Sequence, residues 1–267
     1  MEDIATAITR NWSLAQLVAC LSRHEQVEGV LQIGSLAEGA LTAASDYDLV
    51  IVLRDAPQPW YVGVTHIDHR FTDLIFVATA EIARAGALVA QISHTHSLAP
   101  VVRWLKQGYL LWERAGQIQQ AQHHVQQGDW VQPPDDDAAY GMWFAINYNL
   151  AQAQRMAQAE DPLYQTTLHI RLAVYAPADL WFGYFSVRRL SFTGDKAAVK
   201  YLLAHDPEFL VLYRQFIDAT DPAQKMALYT QVAARATAPL GGLWPSGATV
   251  MNIRETLALW QQLIASG

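Results

Sequence analysis

The segment GSLAEGALTAASDYDLVIVL, residues 34–53, sets Asp46 and Asp48 one residue apart at the head of the uncharged apolar run 49–53. On a strand, side chains two apart share a face, with Cβ atoms roughly 6.5–7 Å apart. An apolar core does not accept such a pair. Hard cations do: Mg²⁺ takes carboxylate oxygens and keeps waters and substrate phosphates in its shell. Two such ions about 3.5–4 Å apart clamp the attacking and leaving oxygens of an in-line displacement at phosphorus. Gly34 and Ser35 end a short strand-like run. Backbone N–H groups there, with the serine hydroxyl, suit phosphate oxygens, and glycine lets a phosphate approach the backbone closely. The plainer alternative is that both aspartates flank a turn with Ser45 as its cap.

The elements that must position these residues fall into two halves of different texture. Apolar spacing over 3–25 predicts a helix or helix pair, with Asn11 or Ser13 as cap or break. The runs at 30–34, 48–53, 60–68, 71–78 and 108–113 are β-branched or aromatic and are parted by Gly, Pro and Asp, which predicts strands of one small mixed sheet. Helical spacing returns over 80–92. The Gln-rich stretch QIQQAQHHVQQGDW and the PPDDD at 133–137 read as the boundary between domains, 1–130 and 131–267. From Ala138 the pattern is helical, with Asp161-Pro162, Asp206-Pro207 and Asp221-Pro222 each reading as an Asp cap followed by Pro at the first helical position. The expected class is α+β: a sheet domain with flanking helices, then an α-helical bundle.

A strand ending in Gly-Ser, ten further residues, then Asp-x-Asp at the head of a hydrophobic strand resembles the signature of the nucleotidyltransferase superfamily, to which DNA polymerase beta and the antibiotic adenylyltransferases belong. The finer text, Gly34, Ser35, Glu38, Gly39, Leu41, Ser45, Asp46, Asp48 and Leu49, is most similar to the streptomycin and spectinomycin adenylyltransferases. Many small relatives carry arginine where this chain has Glu38. The close match covers about 20 residues; the order of a catalytic domain and a helical bundle extends it loosely over the chain.

The resemblance implies transfer of a nucleoside monophosphate, AMP from ATP or the equivalent from another NTP, to a hydroxyl of a small acceptor, an aminoglycoside-like antibiotic among the candidates. It implies a third carboxylate as metal ligand or base. Asp73, at the head of the longer apolar strand, is the preferred position, and Asp68 is the alternative. Asp46, Asp48 and Asp73 would then hold two Mg²⁺ ions, and Gly34, Ser35, Ser45 and Lys196 the nucleotide. Fold and superfamily do not fix the substrate. A non-catalytic nucleotide-binding regulator and an enzyme that modifies a protein partner, as small antitoxin-like relatives do, remain open.

Composition narrows the partners. The formal net charge is −7, and no Lys/Arg cluster exceeds a pair. Nucleic-acid binding normally needs a basic face, so extended DNA or RNA is not expected. No run reaches the roughly 18 apolar residues of a membrane span. The start MEDIATAITRNW lacks the order of a signal peptide, and one cysteine, Cys20, permits no internal disulfide; a cytoplasmic protein is expected. His94, His96, His123 and His124 lack zinc-site spacing. Trp143, Asn147, Tyr148, Asp179, Trp181 and Arg188 are the bundle's candidates for an acceptor pocket, against the commoner role of such residues in a core.

Overall fold

The computed structural model describes residues 12–34 and 45–265. It divides into two compact units, Met1–Gln132 and Pro133–Gly267. The fold class is α+β: a five-stranded mixed sheet with helices in the first unit, helices alone in the second.

In the first unit the sheet order is β3-β4-β2-β1-β5, formed by β1 (Val27–Ile33), β2 (Tyr47–Leu53), β3 (Trp60–Ile67), β4 (Arg70–Ala78) and β5 (Tyr109–Glu113). β2 and β4 run parallel and every other pair is antiparallel. β2 lies two strands in from one edge, is buried on both faces and is nearly all Val, Ile and Leu. One face of the sheet, carrying Leu31, Val50, Val52, Ile75 and Val77, packs against α2 (Thr79–Gly86), α3 (Ala99–Gln107) and α4 (Gln117–Gln126). The other packs against α1 (Leu14–Leu21) through Leu14, Leu17, Val18 and Leu21. Ser13 caps α1 in a reciprocal capping box with Gln16.

Two expectations change here. The helix read over 80–92 stops at Gly86, because Ile92 must lie extended beside Val131: Ile92 N–H donates to Trp130 O at 2.8 Å and Gln132 N–H to Ile92 O at 2.8 Å. Leu88 and Ile92 still pack on the core without helix. The Gln-rich stretch, read as part of the boundary, is largely helix α4. Its Ile118, Ala121, Gln122 and Val125 are buried at i, i+3, i+4 and i+7, a helical stripe hidden in a polar composition. Gln122 is satisfied there, its Nε2 donating to Leu105 O at 3.0 Å and Gly108 O at 2.7 Å.

The second unit comprises α5 (Asp136–Ala157), α6 (Pro162–Ile170), α7 (Ala176–Val187), α8 (Asp195–His205), α9 (Pro207–Asp218), α10 (Pro222–Thr237) and α11 (Thr256–Ala265). Between α6 and α7 the chain makes a π-helical turn, Arg171–Tyr175, just before Pro177. Proline lacks the N–H and its ring crowds the carbonyl four residues back, so the wider turn relieves both conflicts. Asp161, Asp206 and Asp221 cap their helices, accepting from Leu163 N–H at 2.8 Å, Phe209 N–H at 3.0 Å and Gln224 N–H at 2.7 Å. Asp206 also accepts from Tyr184 Oη at 3.0 Å and Arg235 Nε at 2.9 Å, tying α7, α9 and α10 together. Among the described residues no helix is long and apolar enough to cross a membrane.

Burial pushes the Asp206 carboxyl up, but the Arg235 guanidinium and the Phe209 and Tyr184 donors outweigh it and hold it below the usual range. The stability it supplies is therefore complete above its unfolded pKa of about 3.9 and is lost as pH falls through the lower folded value. Asp206→Ala is expected to cost about 2 kcal/mol at pH 7, since it removes a cap and the buried partner of the half-exposed Arg235, which keeps only Glu208. Urea denaturation followed by circular dichroism at pH 7 and pH 3 checks this, and the gap between the two proteins should narrow at the lower pH.

Candidate active site

β2 and β4 are in lateral register with Tyr47 opposite Thr72 and Asp48 opposite Asp73. Parallel neighbours at one register position point to the same face, and adjacent strands lie about 4.8 Å apart. Asp48 and Asp73 thus stand side by side on the face of Val50 and Ile75, one step beyond the apolar core and half-buried. Like charges directly across a strand pair destabilise a sheet, so packing does not account for this pair. Ser45 and Asp46, also half-buried, immediately precede β2.

Gly34 closes the site from the β1 side. Ile33 pairs with Asp48, and the chain leaves β1 through Gly34 at φ +76°. A Cβ there would strike the Asp48 carboxylate. The left-handed backbone favours glycine here, and a side chain would also push the Asp48 carboxylate aside.

Asp68 does different work. It and His69, at φ 52° and 61°, form the two-residue turn joining β3 to β4, the hairpin geometry that needs positive φ at both central positions. Its Oδ2 accepts from Leu14 N–H at 3.2 Å and from Tyr47 Oη at 3.4 Å. Burial first, then the neighbouring Asp68, push the Tyr47 phenol up, with Arg70 opposing. Arg70, which the sequence reading passed over, donates from Nη1 to Ser45 O at 3.0 Å and lies 5.8 Å over the Tyr47 ring. Asp68 and Arg70 thereby hold the segment carrying Asp46 from the β3–β4 hairpin. The signal was present as a charged pair around the turn at 68–69.

Ser35 and Glu38 lie outside the described residues. Lys196 belongs to the second unit, in the first turn of α8. Of the bundle's candidates, several are engaged in holding it together. Trp143 Nε1 donates to Gly242 O at 2.7 Å, and the buried Asn147 bonds Trp143 O at 3.0 Å and Trp244 N–H at 2.9 Å. Trp181 Nε1 donates to Asp195 at 3.0 Å, and Arg188 donates to Ala236 O at 2.9 Å and Arg235 O at 3.0 Å, at the end of α10. Burial lowers Arg188 and raises Asp179 from their ordinary pKa values, the latter against the Asn149 amide that donates to it at 2.6 Å. Tyr148 is exposed. Glu81 is buried and paired with Arg84 at 2.9 Å, and His124 is packed on Trp130 with Nε2 2.8 Å from Leu88 O.

No protein-family model and no curated protein matches the chain. Among solved structures it is similar to a nucleotidyltransferase-like protein from Exiguobacterium sibiricum 255-15, at 13% identity and a TM-score of 0.39 over 95% of this chain and 89% of that one. It is also similar to an aminoglycoside 6-adenyltransferase from Bacillus subtilis, at 9% identity and a TM-score of 0.27 over 94% and 96%. Likenesses this distant leave the activity to be read from the residues.

Gly34→Ala is expected to destabilise the protein by about 1–2 kcal/mol through its left-handed φ alone, plus the contact with Asp48. In an Asp48→Ala background the second part should vanish, so the cost of Gly34→Ala falls. Equal costs in the two backgrounds, measured by urea denaturation, would show that the carboxylate is not held against Gly34.

Proposed function

We propose that the protein is a nucleotidyltransferase that moves a nucleoside monophosphate from an NTP, ATP in the first instance, to a hydroxyl of an acceptor molecule. The observation that supports this most is the lateral pairing of Asp48 with Asp73 beside a left-handed glycine that lies close against the Asp48 carboxylate. Among the described residues no group of three or more His, Cys, Asp or Glu is placed to hold a metal ion by itself. Mg²⁺ does not need one, since one or two carboxylates plus substrate phosphates complete its shell; the donor set here fits it. Asp46, Asp48 and Asp73 would hold the ions, which neutralise the triphosphate when bound.

In this reading Gly34, Ser35 and Ser45 orient the phosphates of the NTP. The acceptor oxygen forms a bond to the α-phosphorus, the bond from that phosphorus to the bridging oxygen breaks, and pyrophosphate leaves. Asp73 takes the proton of the attacking hydroxyl. Positioning and charge neutralisation supply most of the rate.

A second reading concerns the acceptor. Val62 and Val64 on the edge strand β3 are 54% and 63% exposed, and Val64 is paired with Asp73 on the same face. An apolar surface beside the carboxylates suits a protein acceptor better than a polycationic antibiotic.

Asp73→Asn is expected to cut pyrophosphate release by about a hundredfold or more while leaving the fold as stable as before or about 0.5 kcal/mol more so, because a like-charge pair is removed. Mg²⁺ should raise the Tm of the parent protein and not of this variant. Asp46→Asn and Asp48→Asn should likewise lose turnover, and full activity in either would end the proposal. Screening ATP, GTP, CTP and UTP against aminoglycosides, lincosamides and candidate proteins identifies the acceptor class.

A further inference from the structure

β3 is an edge strand, and the alternation of its bonds to β4 fixes which of its backbone groups face outward. Ala78 N–H donates to Pro59 O at 3.0 Å, and bonded pairs alternate along an antiparallel ladder, so Tyr61, Gly63 and Thr65 are the residues that bond to β4. The N–H and C=O groups of Trp60, Val62, Val64 and His66 therefore point away from the sheet. Asp68, of the same parity, turns its N–H outward to Trp12 O at 2.9 Å. Among the described residues, that bridge of Trp12 to Ile67 is the only strand-like contact on this side.

Natural sheet edges are guarded by charge, proline or a bulge. The opposite edge, β5, is short, shifts register between Val30 and Leu31 of β1, and ends on Glu113 followed by Arg114. β3 carries none of these guards from Trp60 to His66: it has no Asp, Glu, Lys, Arg or Pro and keeps unbroken register with β4. Trp60, Val62, Val64 and His66 are all exposed. Gly63 is a second unexplained feature, since its φ is not left-handed and a Cβ there would meet only Phe76 Cε2, at an ordinary 3.6 Å. A single chain does not need glycine at this position.

We propose that β3 pairs antiparallel with β3 of a second copy of this chain, about a two-fold axis at Gly63. Val62 then faces Val64 of the partner subunit, Trp60 faces His66 of the partner subunit, and every outward N–H and C=O of the four residues finds a bond. A shift of two residues leaves Trp60 or His66 unpaired. A second copy fits because the strand is its own complement: valine meets valine, ring meets ring, and no charge on the seam opposes two chains that each carry −7. Gly63 faces its own copy in a non-bonded pair, where Cα atoms come within about 4.5 Å, the close backbone approach that a glycine inside a strand marks. The row Asp48, Asp73, Val64 is thereby continued by Val62 of the partner subunit, which walls the carboxylates on their open side. The pairing is independent of the transfer reading and gives the exposed valines a partner whatever the acceptor is.

Sedimentation velocity of the full chain over about 1–100 μM should show a monomer–dimer equilibrium, because a one-strand seam lies at the small end of stable interfaces. Val62→Glu and Val64→Lys, both at exposed positions whose backbone bonds face away from β4, should each weaken the dimer about tenfold or more with circular dichroism unchanged. Combined in one chain, the two changes set opposite charges directly across the seam, and the dimer should return to within about threefold of the parent. Amide exchange at Val62 and Val64 should slow as the concentration rises. A monomer at every concentration overturns the inference and leaves the edge to a strand of another protein. A dimer that neither single change weakens overturns it too, as does a double variant no stronger than the single ones.

Discussion

The parallel pairing of β2 with β4 is the constraint on which the first unit depends. It fixes Asp48 against Asp73, and the same ladder continues upward as Val50 with Ile75 and Val52 with Val77, the apolar face that binds α2, α3 and α4. A slip of one residue in that ladder would turn the buried valines to the wrong side and part the two carboxylates in the same motion. Core and candidate site are therefore specified by one register, and the cost of placing two acids together is carried by the burial of the residues behind them.

What holds the register is local and polar. The two-residue turn at Asp68 and His69 sets β3 against β4, and its aspartate reaches both the start of α1 and the Tyr47 phenol at the head of β2. Arg70 takes the carbonyl of Ser45. Three separate stretches, around residues 13, 46 and 69, meet at this corner, so Ser45, just ahead of Asp46, is held by a hairpin as well as by the strand that follows. Asp68 supports the site structurally from that corner, while Asp73 stands in the carboxylate row.

Much of this was legible in residue types. Strands with Val, Ile and aromatic runs, the Asp-Pro helix starts and the odd placement of Asp46 and Asp48 are all visible without coordinates. Partners across the sheet were not: nothing in the text near Asp73 says that it lies opposite Asp48, since that depends on strand order. The Gln-rich helix α4 was obscured because glutamine hides a stripe of only Ile118, Ala121 and Val125. The shortening of the helix after Gly86 follows from a distant bridge to Val131, which local spacing cannot report.

The π-helical turn at Arg171–Tyr175 carries one more implication. An α-helix advances about 100° per residue, and a π-turn absorbs the equivalent of one extra residue between α6 and α7. Leu168 before it and Leu172, Ala176 and Leu180 within and after it all reach one core, so the surplus residue acts as a phase corrector that keeps two helical stretches facing the same neighbours. Removing a single residue from this turn would leave the composition almost untouched yet rotate everything upstream by that angle. The bundle is tolerant of changes in what its surface residues are, and much less so of how many residues separate them.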